Sequence, residues 1–277
     1  MAAITLNTFR LVTGLSIAEV SDVQAIWRIR QGSAIAARVC GRCFGHAIER
    51  IEESGADVRI KVYGHNLPAT GKIWISGVGQ TAIDGEQTYT VVDQDTLQVT
   101  GKSLAGDTAV TDRGRISVSM TCKSRAIGSE VDVYPGFPVR VVSVTDTDGN
   151  VLAASLYRLV GEVIELYAIT QGYRRERRMI RPIKQASSLS AVDVVYYAGM
   201  LQSLPDDLTA AIATVGNQAS VVNAASGAGV FQSENHEDYS YQLMPWAEAA
   251  KLPTTAMATL ASYRSKVPSG VLSFSPC

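Results

Sequence analysis

The residues of this chain with the clearest chemical potential are cysteines and a histidine that lie close together. Cys40 and Cys43 have the C-x-x-C spacing of redox motifs and of half a zinc site, and His46 follows three residues later. A structural zinc ion needs four ligands, and the sequence contains no second C-x-x-C pair and no H-x-x-x-H pair. Cys40 also falls on an apolar helical stripe. We therefore expect a buried structural cysteine, and neither a metal nor another cofactor.

A second group of titratable residues surrounds His236, whose close neighbours are Glu234, Glu237 and Asp238. A histidine beside acids and serines is compatible with a hydrolase. However, the chain has no G-x-S-x-G elbow, and no helix places His and Glu as in H-E-x-x-H. We expect a subunit contact in which Glu234, Asp238 and Tyr239 bind the adjacent copy, with an ordinary solvated loop as the alternative.

Two glycine-containing stretches resemble parts of phosphate-binding motifs without completing them. The GVG stretch at 77–79 lacks the third glycine of a dinucleotide fingerprint, and the GKS stretch at 101–103 has Thr96 where a phosphate loop needs its first glycine. We expect turns or β-bulges at both places.

Positive charge is concentrated in one run after Tyr173. The run has no interleaved aromatic residues and no base-reading motif, so we do not expect sequence-specific DNA recognition. It could touch DNA phosphates in a channel, pair with acids on a partner, or protect a strand edge as solvated charge, and these three interpretations remain open. Its members are Arg174, Arg175, Arg177, Arg178, Arg181 and Lys184.

Composition predicts a substantial folded protein. The 277 residues are 46% hydrophobic and 18% charged, and the formal net charge is -1, so no overall basic field favours nucleic acid or a membrane surface. No apolar run approaches the roughly 20 residues of a membrane span, and the first residues lack the order of a signal peptide. Four cysteines in this length suit a reducing compartment, so we expect synthesis and folding in the cytoplasm.

Three stretches predict the helices that would position these residues. A capping box at Ser21 and Gln24 predicts an amphipathic helix to about Cys43. The stretch 205–225 opens with a proline and two acids, which favour a helix start. A third, short helix is predicted over 253–263.

The long helix at 205–225 has two faces of different character. Its apolar stripe, which we expect in the core, comprises Leu208, Ile212, Val215, Ala219 and Val222. A second face carries only small residues, namely Ala213, Gly216, Ser220 and Ala224. Glycine in mid-helix costs about 1 kcal/mol against alanine, so a close neighbour would explain it, and we assign that neighbour to the adjacent subunit. An alanine-rich surface without a role is the alternative.

Strand patterns fill most of the remaining sequence. Short strands with turn signals run from 58 to 100, and 115–121 alternates in a way that could close the same module. A meander follows from 131, with strands predicted at 139–144, 151–160 and 162–169 and a hairpin turn at 146–150. The stretch 191–199 reads as one further strand. The final segment, 267–277, reads as an extended arm that cannot bury itself alone.

Several motifs in this order resemble the head–tail connector, or adaptor, proteins of tailed bacteriophages. The resemblance covers roughly 20–44 and 131–264, and it rests on the order of the motifs. They are CGRCF at 40–44 with Arg42 and Phe44, YPGFPVRVVSVTDTDGN at 134–150, VVYYAG at 194–199, LPDDL at 204–208, SENHEDYSYQL at 233–243 and LPTTAMATLASYR at 252–264. Between them, 63–99 resembles a small β module common in phage virion proteins, related in pattern to a domain of ubiquitin-activating enzymes.

This resemblance implies a structural virion protein. Such connectors form rings, usually of twelve subunits, beneath the portal at the capsid vertex, where they continue the DNA channel and present a platform to the stopper or tail. In that family an extended C-terminal arm reaches toward the portal. The corresponding residues here are Val267, Val271, Leu272, Phe274 and Cys277.

The expected architecture is therefore α+β. A helical adaptor core with a β-meander would comprise 1–45 and 126–266, an inserted small all-β domain would comprise 46–125, and the arm 267–277 would follow. The core would contain a long N-terminal helix, a long helix in the C-terminal half and a short last helix. The long helix at 205–225 would face the ring neighbours.

We expect a ring-forming virion connector of the phage neck, and no enzyme. Its expected partners are the portal, a stopper or tail-completion protein, other copies of itself and, without specificity, the passing DNA; no membrane is expected. One alternative is a tail or baseplate protein whose β module binds a host-surface glycan. Another is a cysteine hydrolase using Cys122 or Cys43 with a histidine, which the lack of a correctly spaced triad disfavours.

Overall fold

The computed structural model describes residues 2–104, 109–124, 130–134, 136–146, 148–166, 191–200, 203–226, 252–264 and 271–274. The helices in these ranges are α1 (Leu6–Thr13), α2 (Asp22–Cys40), α3 (Asp206–Ser226) and α4 (Thr254–Ser262). The strands are β1 (His46–Ala47), β2 (Arg50–Ser54), β3 (Asp57–Lys61), β4 (Thr70–Ser76), β5 (Gly85–Asp93), β6 (Thr96–Thr100), β7 (Ala109–Thr111), β8 (Arg115–Ser124), β9 (Glu130–Asp132), β10 (Pro138–Thr145), β11 (Tyr157–Val160), β12 (Val163–Leu166), β13 (Val192–Ala198) and β14 (Val271–Phe274).

Most of the described strands belong to one antiparallel sheet. Its path is β10-β13-β8-β4-β5-β6-β3-β2-β7, and β1 and β14 also pair with β8, which makes eleven strands. A second sheet has the order β11-β12-β9. The sheets account for most of the regular structure in the described ranges.

Strand β8 is the centre of the large sheet because both of its edges are used. One edge pairs with β13 at 118–124 and with β1 at 115–116. The opposite edge pairs with β4 at 115–118 and, beyond the point where β4 separates, with β14 at 122–124. Strand β8 therefore joins the segment 46–124 to strands from later parts of the chain.

The expected fold class, an α+β helical adaptor core carrying an inserted small all-β domain, is wrong. The protein is mostly β, and the helices form a smaller part of it. The reason lies in the pairing of β8, since its hydrogen bonds to β4 on one edge and to β13 on the other make the module and the later strands one sheet. Strand patterns in a sequence predict strands but do not say which edges pair.

Side-chain contacts reinforce the same junction of the sheet. The guanidinium of Arg140 on β10 lies 4.8 Å from the ring centroid of Trp74 on β4, and the ring of Tyr197 on β13 lies 6.1 Å from that of Trp74. The Tyr197 hydroxyl donates a 2.9 Å hydrogen bond to Glu86 on β5, which also accepts from Lys72 at 2.8 Å. Four strands are thus tied together by side chains as well as by backbone.

The apolar core consists of three clusters. The helical cluster is built from α1, α2, α3 and α4 together with the N-terminal residues. The second cluster lies between β8, β13, β10 and the small sheet. The third is built from residues of strands β2 to β8 and their connections.

Helices α2 and α3 cross at very short distance. A Cβ atom added to Gly32 would lie 2.3 Å from the carbonyl oxygen of Ile212, and one added to Gly216 would lie 2.3 Å from the carbonyl oxygen of Arg28. The two glycines therefore allow the backbones to touch. The Arg28 side chain also hydrogen-bonds Asn217 on α3.

Local predictions for the helices are confirmed. Ser21 and Gln24 form both hydrogen bonds of the capping box at the start of α2. The stripe residues Leu208, Ile212 and Val215 of α3 are fully buried. The helix α1 was not predicted, although Thr5 caps its start and Gly14, with a φ of 70°, ends it.

The predicted strand over 151–160 is only partly right. Val151 makes an isolated bridge to Thr145, a 3-10 turn occupies Ala154–Leu156, and β11 begins at Tyr157. Residues 153–155 are Ala, Ala and Ser, which have low strand propensity. The predicted turn at 146–150 is present, with Asp146 Oδ1 accepting from the backbone N–H of Asp148 and of Asn150.

Candidate assembly surfaces

Five large apolar side chains project into solvent from the first two helices and their connection, and the least exposed of them is Val12 on α1, at 38%. Leu11 on α1 is 83% exposed, Ile17 in the connecting loop 69%, Val23 on α2 78%, and Trp27 on α2 44%. We call these four residues the helical patch. All four lie on α1, α2 or the loop between them, and we take them as a candidate surface for a protein–protein contact.

The amphipathic pattern of α2 explains why the patch exists. The helix buries Ala25 and Ile29 against the helical cluster, so Val23 and Trp27, two residues before each of them, fall on the opposite side. Val23 and Trp27 are four residues apart and are therefore neighbours on the helix surface. The sequence contained this signal as apolar residues off the buried stripe.

Arg10 holds the unit that carries the helical patch. Its guanidinium donates to the carbonyl oxygens of Leu15 at 3.2 Å and Val20 at 2.9 Å, and to the Asp22 carboxylate at 2.6 Å. These bonds connect the end of α1, the loop and the start of α2. The patch is consequently presented in a defined arrangement.

A second set of exposed apolar side chains lies on strands and turns. Val142 on the edge strand β10 is 46% exposed, Val151 after the 146–150 turn 68%, and Val160 at the end of β11 44%. We call these three residues the strand patch. A further exposed valine, Val92 on β5, is 45% exposed and belongs to neither set.

Four of the six motifs on which the sequence resemblance rests meet at one place, although they are far apart in the chain. The Arg42 side chain donates a 2.6 Å hydrogen bond to the carbonyl oxygen of Tyr263 and forms an ion pair with Glu162. Its guanidinium lies 4.3 Å from the ring centroid of Phe137. Phe137 has a φ of 67°, unusual for a bulky residue, and its ring lies 5.9 Å from that of Phe44.

The same cluster reaches the start of α3. The Tyr263 hydroxyl donates a 2.8 Å hydrogen bond to Asp207, and this bond is the first cause of a raised Tyr263 pKa. Residues from the motifs CGRCF, YPGFPV, LPDDL and LASYR therefore form one contiguous cluster.

The small-residue face of α3 lies partly inside the subunit. Ala213 is fully buried and belongs to the helical cluster, and Gly216 touches the backbone of α2. The close neighbour that Gly216 needs is thus α2 of the same chain. Ser220 and Ala224 belong to α3, but their side chains lie outside the described residues.

Part of the predicted portal-binding arm is a strand of the large sheet. Val271, Leu272 and Phe274 lie in β14, which pairs with β8 in the register Val271↔Ser124, Ser273↔Lys123 and Phe274↔Cys122. Val267 and Cys277 lie outside the described residues. Binding of this arm to a portal stays a prediction.

The predicted basic run and acidic loop cannot be located. Arg174, Arg175, Arg177, Arg178, Arg181 and Lys184 lie outside the described residues, as do Glu234, His236, Asp238 and Tyr239. Their roles as DNA-channel, partner or subunit contacts remain predictions.

Cys40 is a buried structural residue, as expected from the sequence. Its thiol donates 3.2 Å to the carbonyl oxygen of Leu260, and burial raises the pKa of the thiol to about 11. Cys40 is a free, buried cysteine, so Cys40 and Cys43 do not form a disulfide with each other. Within the described ranges, no three His, Cys, Asp or Glu side chains come together as metal ligands.

The two glycine-containing stretches form turns. In the first, the Asp84 carboxylate accepts the backbone N–H groups of Val78 at 3.0 Å and Gly79 at 2.9 Å. In the second, Gly101 has a φ of 69° directly after β6.

No protein-family model matches this chain, and no curated protein matches its sequence. None of the helices in the part of the chain that the structure describes is both long and apolar enough to cross a membrane.

Proposed function

We propose that this protein is a structural virion protein that assembles into a ring in the neck of a tailed phage. The observation that carries the proposal is the presence of two separate exposed apolar sets, the helical patch and the strand patch, on different elements. Identical chains that join through two different surfaces associate head to tail, and such contacts close into a ring when the rotation fits.

The order of the sequence motifs supports a place beneath the portal. The residues shared with connector proteins include Arg42, Phe44 and Tyr263, and the structure gathers them into one cluster. Their common role is to hold the helices against the loop before β10. On this proposal the ring contacts the portal on one side and a stopper or tail-completion protein on the other, and DNA passes through it without specific contacts.

The test uses copies in which one patch at a time carries negative charge. We expect Val23→Glu with Trp27→Glu to abolish ring formation, and Val142→Glu with Val160→Glu to do the same, because each removes one half of every contact. All four positions are exposed, so the folding stability changes little. Mass photometry, with and without the portal protein, measures the outcome, and Val92→Glu on β5 is the matched control that should assemble normally.

Mixing the two double variants distinguishes a head-to-tail contact from a symmetric one. Each variant retains one intact patch, so the mixture should give dimers that cannot grow further. Rings formed by either double variant alone would contradict the proposal, and so would a mixture that stays monomeric while the wild type forms rings.

A further inference from the structure

The second cysteine of the C-x-x-C pair forms a disulfide. Cys43 is disulfide-bonded, whereas Cys40 and Cys122 are free, buried cysteines. The sequence contains four cysteines, and the fourth is Cys277. Within one chain, Cys277 is therefore the partner that remains for Cys43. The bond joins the segment after α2 to the residues that follow β14.

The register of β14 is compatible with this bond. Strand β14 runs antiparallel to β8, and Phe274 lies opposite Cys122. Cys122 and Cys43 belong to the same apolar cluster, which also contains Met120 of β8. Cys277 comes three residues after Phe274, and an extended chain of that length spans at most about 11 Å. The chain can therefore reach the cluster that contains Cys43 directly from the end of β14.

The noncovalent pairing of β14 is limited. Among the described strands it pairs only with β8, over three register positions with an irregularity between Val271 and Ser273. The preceding helix α4 is fixed independently, since Ala256 and Leu260 lie in the helical cluster. Short strands with one neighbour open at a low cost in free energy. Strand β14 can therefore leave β8 while α4 stays in place, unless a covalent bond holds it.

We infer that the Cys43–Cys277 disulfide is a redox latch that keeps β14 on β8. Reduction opens the latch and frees β14, while the pairing of β8 with β13 remains. The reaction is thiol–disulfide exchange, with a dithiol of the thioredoxin class as the two-electron reductant and glutathione disulfide as the oxidant that restores the bond. Because cytosolic thiols are kept reduced, the latch is open in a reducing compartment and closes outside it.

The burial of Cys43 decides which sulfur is attacked. Its side chain is fully buried, so the thiolate of the reductant attacks the sulfur of Cys277 and expels the Cys43 thiolate, which takes up a proton. The second thiolate of the reductant attacks the resulting mixed disulfide, releases the Cys277 thiol and leaves as a disulfide. On closing, the Cys277 thiolate attacks glutathione disulfide, and the Cys43 thiolate then displaces glutathione from the mixed disulfide.

Peptide mapping tests the pairing. Protein purified without reductant is alkylated in denaturant and digested with trypsin, which cleaves after Arg42 and separates Cys40 from Cys43. Mass spectrometry should find the peptides of Cys43 and Cys277 linked to each other, and those of Cys40 and Cys122 alkylated. After treatment with dithiothreitol, a dithiol, all four cysteines should be alkylated.

Hydrogen exchange of the same samples tests the latch. We expect the backbone amides of β14 to exchange about ten-fold faster or more after reduction, with the exchange of β13 and α3 unchanged. Cys277→Ser should exchange fast in β14 without reductant and should not respond to it. The matched control is Cys40→Ser, which retains a donor for the Leu260 carbonyl oxygen and should respond to dithiothreitol as the wild type does.

Three results would overturn the inference. The first is a free Cys43 thiol in the unreduced protein, or a disulfide that links two copies in non-reducing electrophoresis. The second is equal protection of β14 before and after a reduction that mapping confirms. The third is loss of protection throughout the protein on reduction, because the bond would then hold the whole fold. None of these results decides whether rings form, so the proposed function is tested separately.

Discussion

A buried arginine joins the N-terminal residues to the large sheet, and a buried histidine lies beside it. Arg115 on β8 donates to the carbonyl oxygens of Ala3 at 2.9 Å and Phe44 at 2.6 Å, and burial lowers its pKa to about 10. His46 pairs in register with Ile116, the next residue along β8. Neither position could be predicted from the sequence. A two-residue strand has no detectable periodicity, and a single arginine does not indicate which carbonyl oxygens will accept its hydrogen bonds.

The burial of His46 predicts a specific loss of stability in acid. Burial, with the nearby positive charges of His65 and Arg115, lowers the pKa of His46 from 6.5 to about 3. Below pH 6.5 the unfolded chain binds a proton at this residue while the folded chain does not, so stability falls as the pH falls. We expect His46 to contribute a slope of about 1.4 kcal/mol per pH unit between pH 6 and pH 4.

Urea denaturation at several pH values measures this contribution, with His46→Gln as the comparison. The slope of unfolding free energy against pH should be shallower in the variant by that amount. Equal slopes, or a His46 imidazole resonance that titrates near pH 6.5 in the folded wild type, would show that the residue is not buried as described.

At the scale of elements, the sequence predicted what its periodicity encodes. The capping box of α2, the buried stripe of α3 and the strand β13 formed as expected, because each depends on neighbouring residues. The partner of Gly216 could not be predicted in the same way. A small residue shows that something approaches closely, but only the tertiary structure identifies that neighbour as Gly32 of the same chain.

The α2–α3 crossing reverses the usual effect of a helix substitution. Gly→Ala normally stabilises a helix by about 1 kcal/mol, whereas here the added Cβ would meet a backbone carbonyl oxygen at 2.3 Å. We expect Gly32→Ala and Gly216→Ala each to destabilise the fold by about 2–3 kcal/mol. Urea denaturation followed by circular dichroism measures both.

An exposed position on the same helix provides the control for this crossing. Ala34 on α2 is exposed, and Ala34→Ser should change stability by less than about 0.5 kcal/mol. If Gly32→Ala were neutral or stabilising, α2 and α3 would not be in backbone contact.

At the scale of the whole molecule, the sequence predicted separate modules, whereas the structure has one continuous large sheet. The strands read from the sequence over 58–100 and 115–121 are present, but β8 connects them to β13 and β10. The helical patch was not predicted from the sequence either. Helix α1 was missed, and the exposure of a side chain depends on which elements pack against its helix. The order of the motifs that resemble connector proteins remains the main sequence argument for the proposed function.

One continuous sheet predicts one cooperative unfolding transition. Trp27 lies on α2 and Trp74 on β4, so their fluorescence reports on the helical and sheet parts separately. Variants that retain only one of these tryptophans, with the others replaced by Phe, should give the same urea midpoint within error. Midpoints that differ by 1 M or more would indicate that the 46–125 segment unfolds as an independent domain.

The central claim is that copies of this chain close into a ring. Mass photometry and negative-stain imaging of the purified chain, alone and after incubation with the proposed portal partner, test it most directly. The account predicts closed rings of one defined mass, about twelve subunits, with a central opening. A chain that remains a monomer under both conditions, at concentrations well above those of assembly, would contradict it.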